Sequence, residues 1–366
     1  MRLDFVITEL DVGGAERCLA SLALHAHRQG HQVRVIALGP RPIAGRDLLP
    51  VMLETAGIET CFLEGNSSWK LPWVVLRLRK LVRQDPPQAA QSFLFHANVA
   101  AALAYPSWKV PLFGGVRVAE PRRWRYAIGR WAAKRMAKVV CVSKAVKEWC
   151  MRCERLPESQ LEVIPNGVDP KVAPASKLEL LQGLRGAPFL LFVGRLDVQK
   201  GIDELIDRIP SILRECPSWH VVIVGEGPWR SGVESAINTP DFQGRVHYVG
   251  WQPQPRHWMA QAGMLVLPTR YEGMPNVVLE AMAEGCPVVT MNVEGVEEVL
   301  GDLSRDQAVV AGDFDAWERQ VIRLASDSEL RQHLGKSNVA RVQQEFALDT
   351  LLDRYLQLYQ DAVASR

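Results

Sequence analysis

Two glutamates eight residues apart stand in the segment TRYEGMPNVVLEAMAEGCPVV. Glu272 precedes Gly273, where a missing side chain lets a ligand approach the backbone. Pro275 suits the first position of a helix, and the amides that follow it face the cleft. Glu280 lies one turn into that helix. A carboxylate in the loop and a second in the first turn can hold two sets of hydroxyls on one ligand. Compensation of the helix dipole accounts for Glu280 by itself, but not for the Glu-Gly-x-Pro-Asn entry.

Two further loops have the residue types of an anion site. In LFVGRLDVQKGIDEL, Gly194 ends an apolar strand, Arg195 follows directly and Lys200 sits just before a helix. Two cations at the carboxyl end of a strand can clamp a diphosphate, and a solvated pair is the plainer alternative. In DVGGAE, Gly13 and Gly14 stand between a first strand and a first helix, so unpaired amides meet an anion there, or the glycines serve a tight turn. Neither GxGxxG nor a Walker A pattern is present. Asp313-Phe314-Asp315 has a metal-binding spacing but reads as a turn before a helix. Cys150 and Cys153 form one CxxC without the second ligand pair a zinc site needs, so they read as two thiols at a helix end.

The elements that must position these residues are short apolar strands alternating with helical stretches. LDFVIT, HQVRVIAL, AAQSFLF, KVPLFGGV and KVVCVS make a first set, and PFLLFVG, WHVVIVG, RVHYVG, MLVLPT and CPVVTM a second. Strand–helix alternation implies parallel sheets and two doubly wound domains. The Pro-, Gly- and Ser-rich stretch VIPNGVDPKVAPAS marks the boundary. The predicted division is 1–168, 169–345 and a closing segment 346–366. The length of 366 residues suits two domains, and 48% hydrophobic with 23% charged residues suits a globular chain. No apolar run is long enough to span a membrane, and the seven scattered cysteines predict a reducing, cytoplasmic setting.

Charge is divided unevenly. Residues 1–168 hold 24 Lys and Arg against 14 Asp and Glu; the remainder holds 19 against 27. Two segments of the basic half interleave aromatics with cations: SWKLPWVVLRLRKLVR and EPRRWRYAIGRWAAKRMAK. Such stripes either pack on the sheet or meet the headgroups of an anionic membrane. Nucleic acid is not the expected partner, because the motifs point elsewhere.

Taken together, GGAER at 13–17, VCVSKAVKEW at 140–149, VIPNGVD at 163–169, FVGRLDVQKGID at 192–203, VVIVGEGP at 221–228 and EGMPNVVLEAMAEGCPVV at 272–289 resemble the retaining glycosyltransferases of family 4. The resemblance covers almost the whole chain, and Glu272 with Glu280 is that family's E-x7-E signature. It implies the GT-B fold: two Rossmann-like domains, an interdomain cleft and a C-terminal helix crossing back to the first domain. It implies a nucleotide-sugar donor, UDP-linked in the first instance, and a glycan or lipid-linked acceptor of cell-surface polysaccharide or lipopolysaccharide synthesis. The nucleotide-sugar is a substrate, and neither metal nor cofactor is expected.

By the same resemblance, Glu272 and the backbone from Gly273 to Asn276 take the donor sugar, Glu280 the ribose, and Arg195 with Lys200 the diphosphate. Gly13 and Gly14 lie against the diphosphate, while Gly225, Glu226, Gly227, Pro228, Val249 and Gly250 line the nucleoside pocket. Transfer proceeds with retention on the front face of the sugar, the donor phosphate accepting the acceptor proton. Many family members have a histidine where this chain has Arg117, and a subset with GGAER has arginine. His96, Arg117 and Glu120 are therefore assigned to the acceptor side, with a structural role as the alternative for His96. Two other readings stay open: a sugar-nucleotide epimerase or phosphorylase on the same fold, and a non-catalytic nucleotide-binding scaffold at a membrane.

Overall fold

The computed structural model describes residues 1–65, 67–106, 109–119, 122–170, 184, 186–239, 242 and 244–365. The chain divides into two compact units, one of Met1–Asn166 with Asp349–Arg366 and one of Gly167–Leu348.

The first unit is built on seven parallel strands: β1 (Arg2–Ile7), β2 (Gln32–Ala37), β3 (Glu59–Phe62), β4 (Ala89–Phe93), β5 (Leu112–Val116), β6 (Lys138–Cys141) and β7 (Leu161–Val163). Their order is β3-β2-β1-β4-β5-β6-β7. The direction of winding reverses between β1 and β4, which opens a crevice beyond their carboxyl ends. Helices cover both faces, so β1 and β2 bury five of their six residues each. Right-handed crossovers put the helices Leu71–Gln84, Phe95–Ala104 and Arg123–Ala133 on one face. The middle helix packs against both of its neighbours.

The chain's last helix, Leu348–Ala364, completes this unit on the other face. Its Tyr355 and Tyr359 are fully buried. Tyr359 lies 4.9 Å from the Phe113 ring and donates its hydroxyl to Gln91 Oε1 at 3.1 Å. His25 Nε2 is 2.6 Å from Asp353.

The second unit has six parallel strands: β8 (Phe189–Val193), β9 (His220–Val224), β10 (Val246–Tyr248), β11 (Met264–Leu267), β12 (Val288–Asn292) and β13 (Ala308–Val310). The order β10-β9-β8-β11-β12-β13 places its switch point between β8 and β11. Strands FLLFV, HVVIV and MLVL are almost wholly buried, as central parallel strands must be. All ten strand runs anticipated from the sequence form. Three more, β3, β7 and β13, were not anticipated; each is an edge strand of three or four residues, like β10, which was anticipated from RVHYVG.

Candidate functional site

In the second unit the loops that leave β8 and β11 meet at the switch point, those that leave β9 and β10 stack beside the β8 loop, and most of the residues singled out by sequence lie on these loops. β8 leads into Gly194 and Arg195, then into a 3-10 turn at Val198–Lys200. Asp197 caps that turn by accepting from the Lys200 amide at 3.2 Å. Gly201 then opens the helix Ile202–Glu215 at φ +71°, and a Cβ there would stand 1.9 Å from the Pro268 carbonyl oxygen. Only glycine allows this approach. It presses the turn bearing Lys200 against the start of the β11 loop.

That contact brings two of the predicted residues together. Lys200 Nζ lies 2.5 Å from Glu272 Oε1. The Thr269 hydroxyl is 2.9 Å from the same oxygen and 3.1 Å from the Gln199 carbonyl, tying both loops to one carboxylate. Glu272 is buried at 5% exposure, so its charge needs this partner. Lys200 keeps a fifth of its side chain exposed, so the pair reaches solvent. Thr269 and Gly201 were missed by the sequence reading. Their signal was position alone, one at the end of β11 and one directly after Lys200.

Arg195 is placed differently. Its side chain is largely exposed and pairs with Asp197 at 3.3 Å, on the same loop as Lys200 but outside the buried pair. Glu280 sits half-buried on the helix Asn276–Ala283. That helix begins at Asn276 with Pro275 as the residue before it, so Pro275 is a cap rather than the first helical residue. Glu280 is the fifth residue of this helix and so falls in its second turn, not the first. Gly273, Met274 and Pro275 are buried beside Glu272, with Asn276 half-buried.

The neighbouring loops are stacked by backbone contact. Gly225 has φ +142°, and a Cβ on it would come 1.8 Å from the Gly194 carbonyl oxygen. Its amide donates to the Gly250 carbonyl at 2.8 Å, and the Tyr248 hydroxyl donates to the Gly225 carbonyl at 3.2 Å. Glu226 is held by Arg230 at 3.3 Å. Gly227, Pro228 and Val249 continue this rim between half-buried and exposed positions. Burial, and then Glu226, pushes the Tyr248 phenol up to about 12.

In the first unit, Gly13 precedes the helix Gly14–Arg28 at the carboxyl end of β1, and Gly14 is exposed. Glu16 folds back on Gly13, so the helix start already faces a carboxyl group. Burial pushes that carboxyl up to about 7, with Glu9 and Asp11 adding to the rise and Arg117 opposing it. His96 lies at the end of β4, exposed in the first turn of Phe95–Ala104 and edge-on to Phe95 at 5.4 Å. Leu94, just before, takes φ +74° without being glycine, a strain of about 1–3 kcal/mol that marks this corner. Asn98 holds the corner by donating to the Gly115 carbonyl at 3.0 Å. Neither Leu94 nor Asn98 was singled out by the sequence reading.

Arg117 follows β5 but is buried, and its guanidinium donates to the Tyr355 hydroxyl at 3.2 Å and to Asn166 Oδ1. It also lies 5.3 Å from the centre of the Phe93 ring. Its observed contacts are therefore with the last helix, the end of the unit's main segment, Phe93 and, on the first helix, Cys18. Glu120 lies outside the described residues. Among the described residues, no group of three His, Cys, Asp or Glu side chains is placed to hold a metal ion. Asp313 caps the helix Phe314–Ser326 through the Ala316 amide at 2.8 Å, and Asp315 pairs with Arg208 at 3.2 Å. Cys150 is buried with its sulfur 3.9 Å from that of Cys141.

Two doubly wound parallel units in tandem, the last helix returning to the first, constitute the GT-B architecture. Residues 12–172 match the model of Glycosyltransferase Family 4, and residues 187–327 match that of Glycosyl transferases group 1. The lipopolysaccharide core biosynthesis glycosyltransferase LpsE of Rhizobium meliloti is 28% identical over 47% of this chain; the match spans about half, 49%, of that relative's length. LpsD of the same organism, described in the same words, is 24% identical over 97% of each chain. The structure of Anabaena Alr3699/HepE in complex with UDP and glucose superposes with a TM-score of 0.84 at 20% identity, over 99% of this chain and 100% of that one.

Proposed function

We propose that this chain is a retaining glycosyltransferase. It moves a sugar from a UDP-sugar to a glycan or lipid-linked acceptor in the synthesis of cell-surface polysaccharide or lipopolysaccharide, at the cytoplasmic face of a membrane. The observation that carries the reading is the buried Glu272 carboxylate joined to Lys200 at the switch point of the second unit. Relatives in lipopolysaccharide core synthesis and a structural neighbour that binds UDP support it.

Glu272 accepts hydrogen bonds from the sugar hydroxyls, and the backbone of Gly273, Met274, Pro275 and Asn276 flanks the ring. Lys200, released in part from Glu272, meets the diphosphate together with Arg195. As the bond from the anomeric carbon to the phosphate oxygen breaks, its electron pair stays on the diphosphate, where the two cations offset the charge. The acceptor hydroxyl gives its proton to that phosphate and forms the new bond on the same face of the sugar. Glu280 takes the ribose. Gly225 to Pro228, with Val249 and Gly250, line the nucleoside, and Gly13 and Gly14 serve as anion contacts of the first unit. His96 serves the acceptor, and Glu120 belongs with it in the proposal. No metal ion or cofactor takes part.

The experiment supplies UDP-glucose, UDP-galactose and UDP-N-acetylglucosamine with a polyprenyl-diphosphate-linked glycan and follows UDP release and product anomer by NMR. UDP release should need the acceptor, keep the anomeric configuration and survive chelator. Glu272→Ala should lower turnover about a hundred- to a thousandfold, the range for losing a transition-state contact, while the protein still folds, at a lower melting temperature because Lys200 and Thr269 lose their acceptor. An inverted anomer, an epimerised nucleotide-sugar formed without acceptor, or a chelator effect reversed by manganese would each overturn part of this mechanism. UDP binding without any turnover would favour the scaffold reading.

A further inference from the structure

The helix Leu71–Gln84 has two apolar stripes, and the core uses one. Val74, Val75, Leu78 and Val82 are buried, whereas Trp73 and Leu76 face solvent at 42% and 61% exposure. Trp69, in the turn before the helix, is 94% exposed. The helix carries Arg77, Arg79, Lys80 and Arg83 and no acidic residue. Arg77 stacks on the Trp73 ring at 3.5 Å. Leu76, Arg79, Lys80, Arg83 and Gln84 line a shallow groove.

The same pattern recurs on the helix Arg123–Ala133, which also lacks acidic residues. Trp124 is 58% exposed, Ile128 faces solvent with it, and Arg125 lies 5.2 Å from the Trp124 ring. Between these two helices lies Phe95–Ala104, whose ten residues include neither a carboxylate nor a lysine or arginine. The Trp124 ring meets Phe95 edge-on at 5.8 Å, which joins the middle helix to its neighbour. Right-handed crossovers set all three helices on one face of the sheet. That face therefore combines solvent-facing indoles with cations and, on these helices, has no negative charge.

We infer that this face docks on an anionic bilayer, with Lys80 and Arg83 in the groove meeting lipid phosphates and Trp73, Leu76 and Trp124 entering the headgroup layer. The aromatic side chains suit that layer because one part of the ring is apolar and the other polar. The cations add a charge attraction that salt screens. Another solvent-facing apolar group of the same unit lacks this match. Leu48, Val51 and Met52 on the helix Leu48–Thr55 have Asp47 and Glu54 among them, and Arg41 is already paired with Glu54 at 2.6 Å.

The test is co-sedimentation with phosphatidylglycerol-containing and pure phosphatidylcholine vesicles, with no sugar donor present, so its result is separate from that of the transferase reading. Binding should be confined to anionic vesicles and lost at high salt. Tryptophan emission should shift to the blue on binding. Removing the two groove cations in Lys80→Gln/Arg83→Gln should lower the partition coefficient about twenty-fivefold, at roughly a factor of five per cation. Trp73→Ala/Trp124→Ala should lower binding and reduce the blue shift, with both variants melting like the wild type. No binding, equal binding to neutral vesicles, an unaffected charge variant, competition by inorganic phosphate at low ionic strength, or tighter binding of a single-stranded oligonucleotide would each overturn the inference.

Discussion

The two units share one plan and use it differently. Each has a switch point, a glycine-bearing loop and a cation that follows a strand end. In the second unit Lys200 pairs with a buried carboxylate and remains in touch with solvent. In the first, Arg117 is buried and bonded to neutral oxygens of Tyr355 and Asn166. A strand-end position thus selects candidates but does not assign them work. The packing above the strand does that: the last helix of the chain covers Arg117, while Lys200 and Glu272 keep an opening.

The sharpest way to break this comparison is to disturb the backbone contact that sets up the Lys200–Glu272 pair. Gly201→Ala should destabilise the protein by about 3 kcal/mol or more, because a left-handed residue gains a Cβ and the Pro268 carbonyl must move. Denaturant unfolding should register the loss, together with weaker UDP binding. Full stability would mean that the loop relaxes freely and that glycine is not needed to hold the two loops together.

Arg117→Met tests the other side. It should cost about 2–3 kcal/mol, since two buried oxygens lose their donor, while UDP affinity stays near wild type. A variant of unchanged stability but low turnover would reverse the assignment and return Arg117 to the sugar or the acceptor.

A smaller effect concerns Glu16. Its carboxyl is held at about 7 in the folded chain against an ordinary value of 4.5. The folded state then binds more protons than the unfolded one between these limits, so this group's contribution to stability is complete below pH 4.5 and is lost as pH rises through 7. Glu16→Gln should gain stability relative to wild type as pH rises through that window, measured as a difference between the two unfolding free energies that widens from pH 4.5 to 8. Parallel unfolding curves from pH 4.5 to 8 would show instead that the carboxyl is ionised throughout, as an exposed helix-start residue would be.

Local pattern was enough for the strand runs, the tandem α/β organisation and the loops that carry Gly13, Lys200 and Glu272. Buried parallel strands must be apolar on both faces, and tight loops at their ends need glycine, so both leave marks in contiguous residues. The edge strands β3, β7 and β13 left no such mark, because hydrogen bonding to a neighbour, not composition, makes them strands. The strain at Leu94 was equally invisible, since nothing in the residue type records a positive φ.

What the sequence by itself determined was which residues stand at the ends of strands and what charge each brings. Only the tertiary structure decided their company. Glu272 meets Lys200 across 72 positions of sequence, and Arg117 meets Tyr355 across 238. Trp73 and Trp124 turned outward because Val74, Val75 and Leu78, and Ala132 with Ala133, already filled the core sides of their helices. Periodicity tells how a helix is striped, but the volume left beneath it decides which stripe is buried.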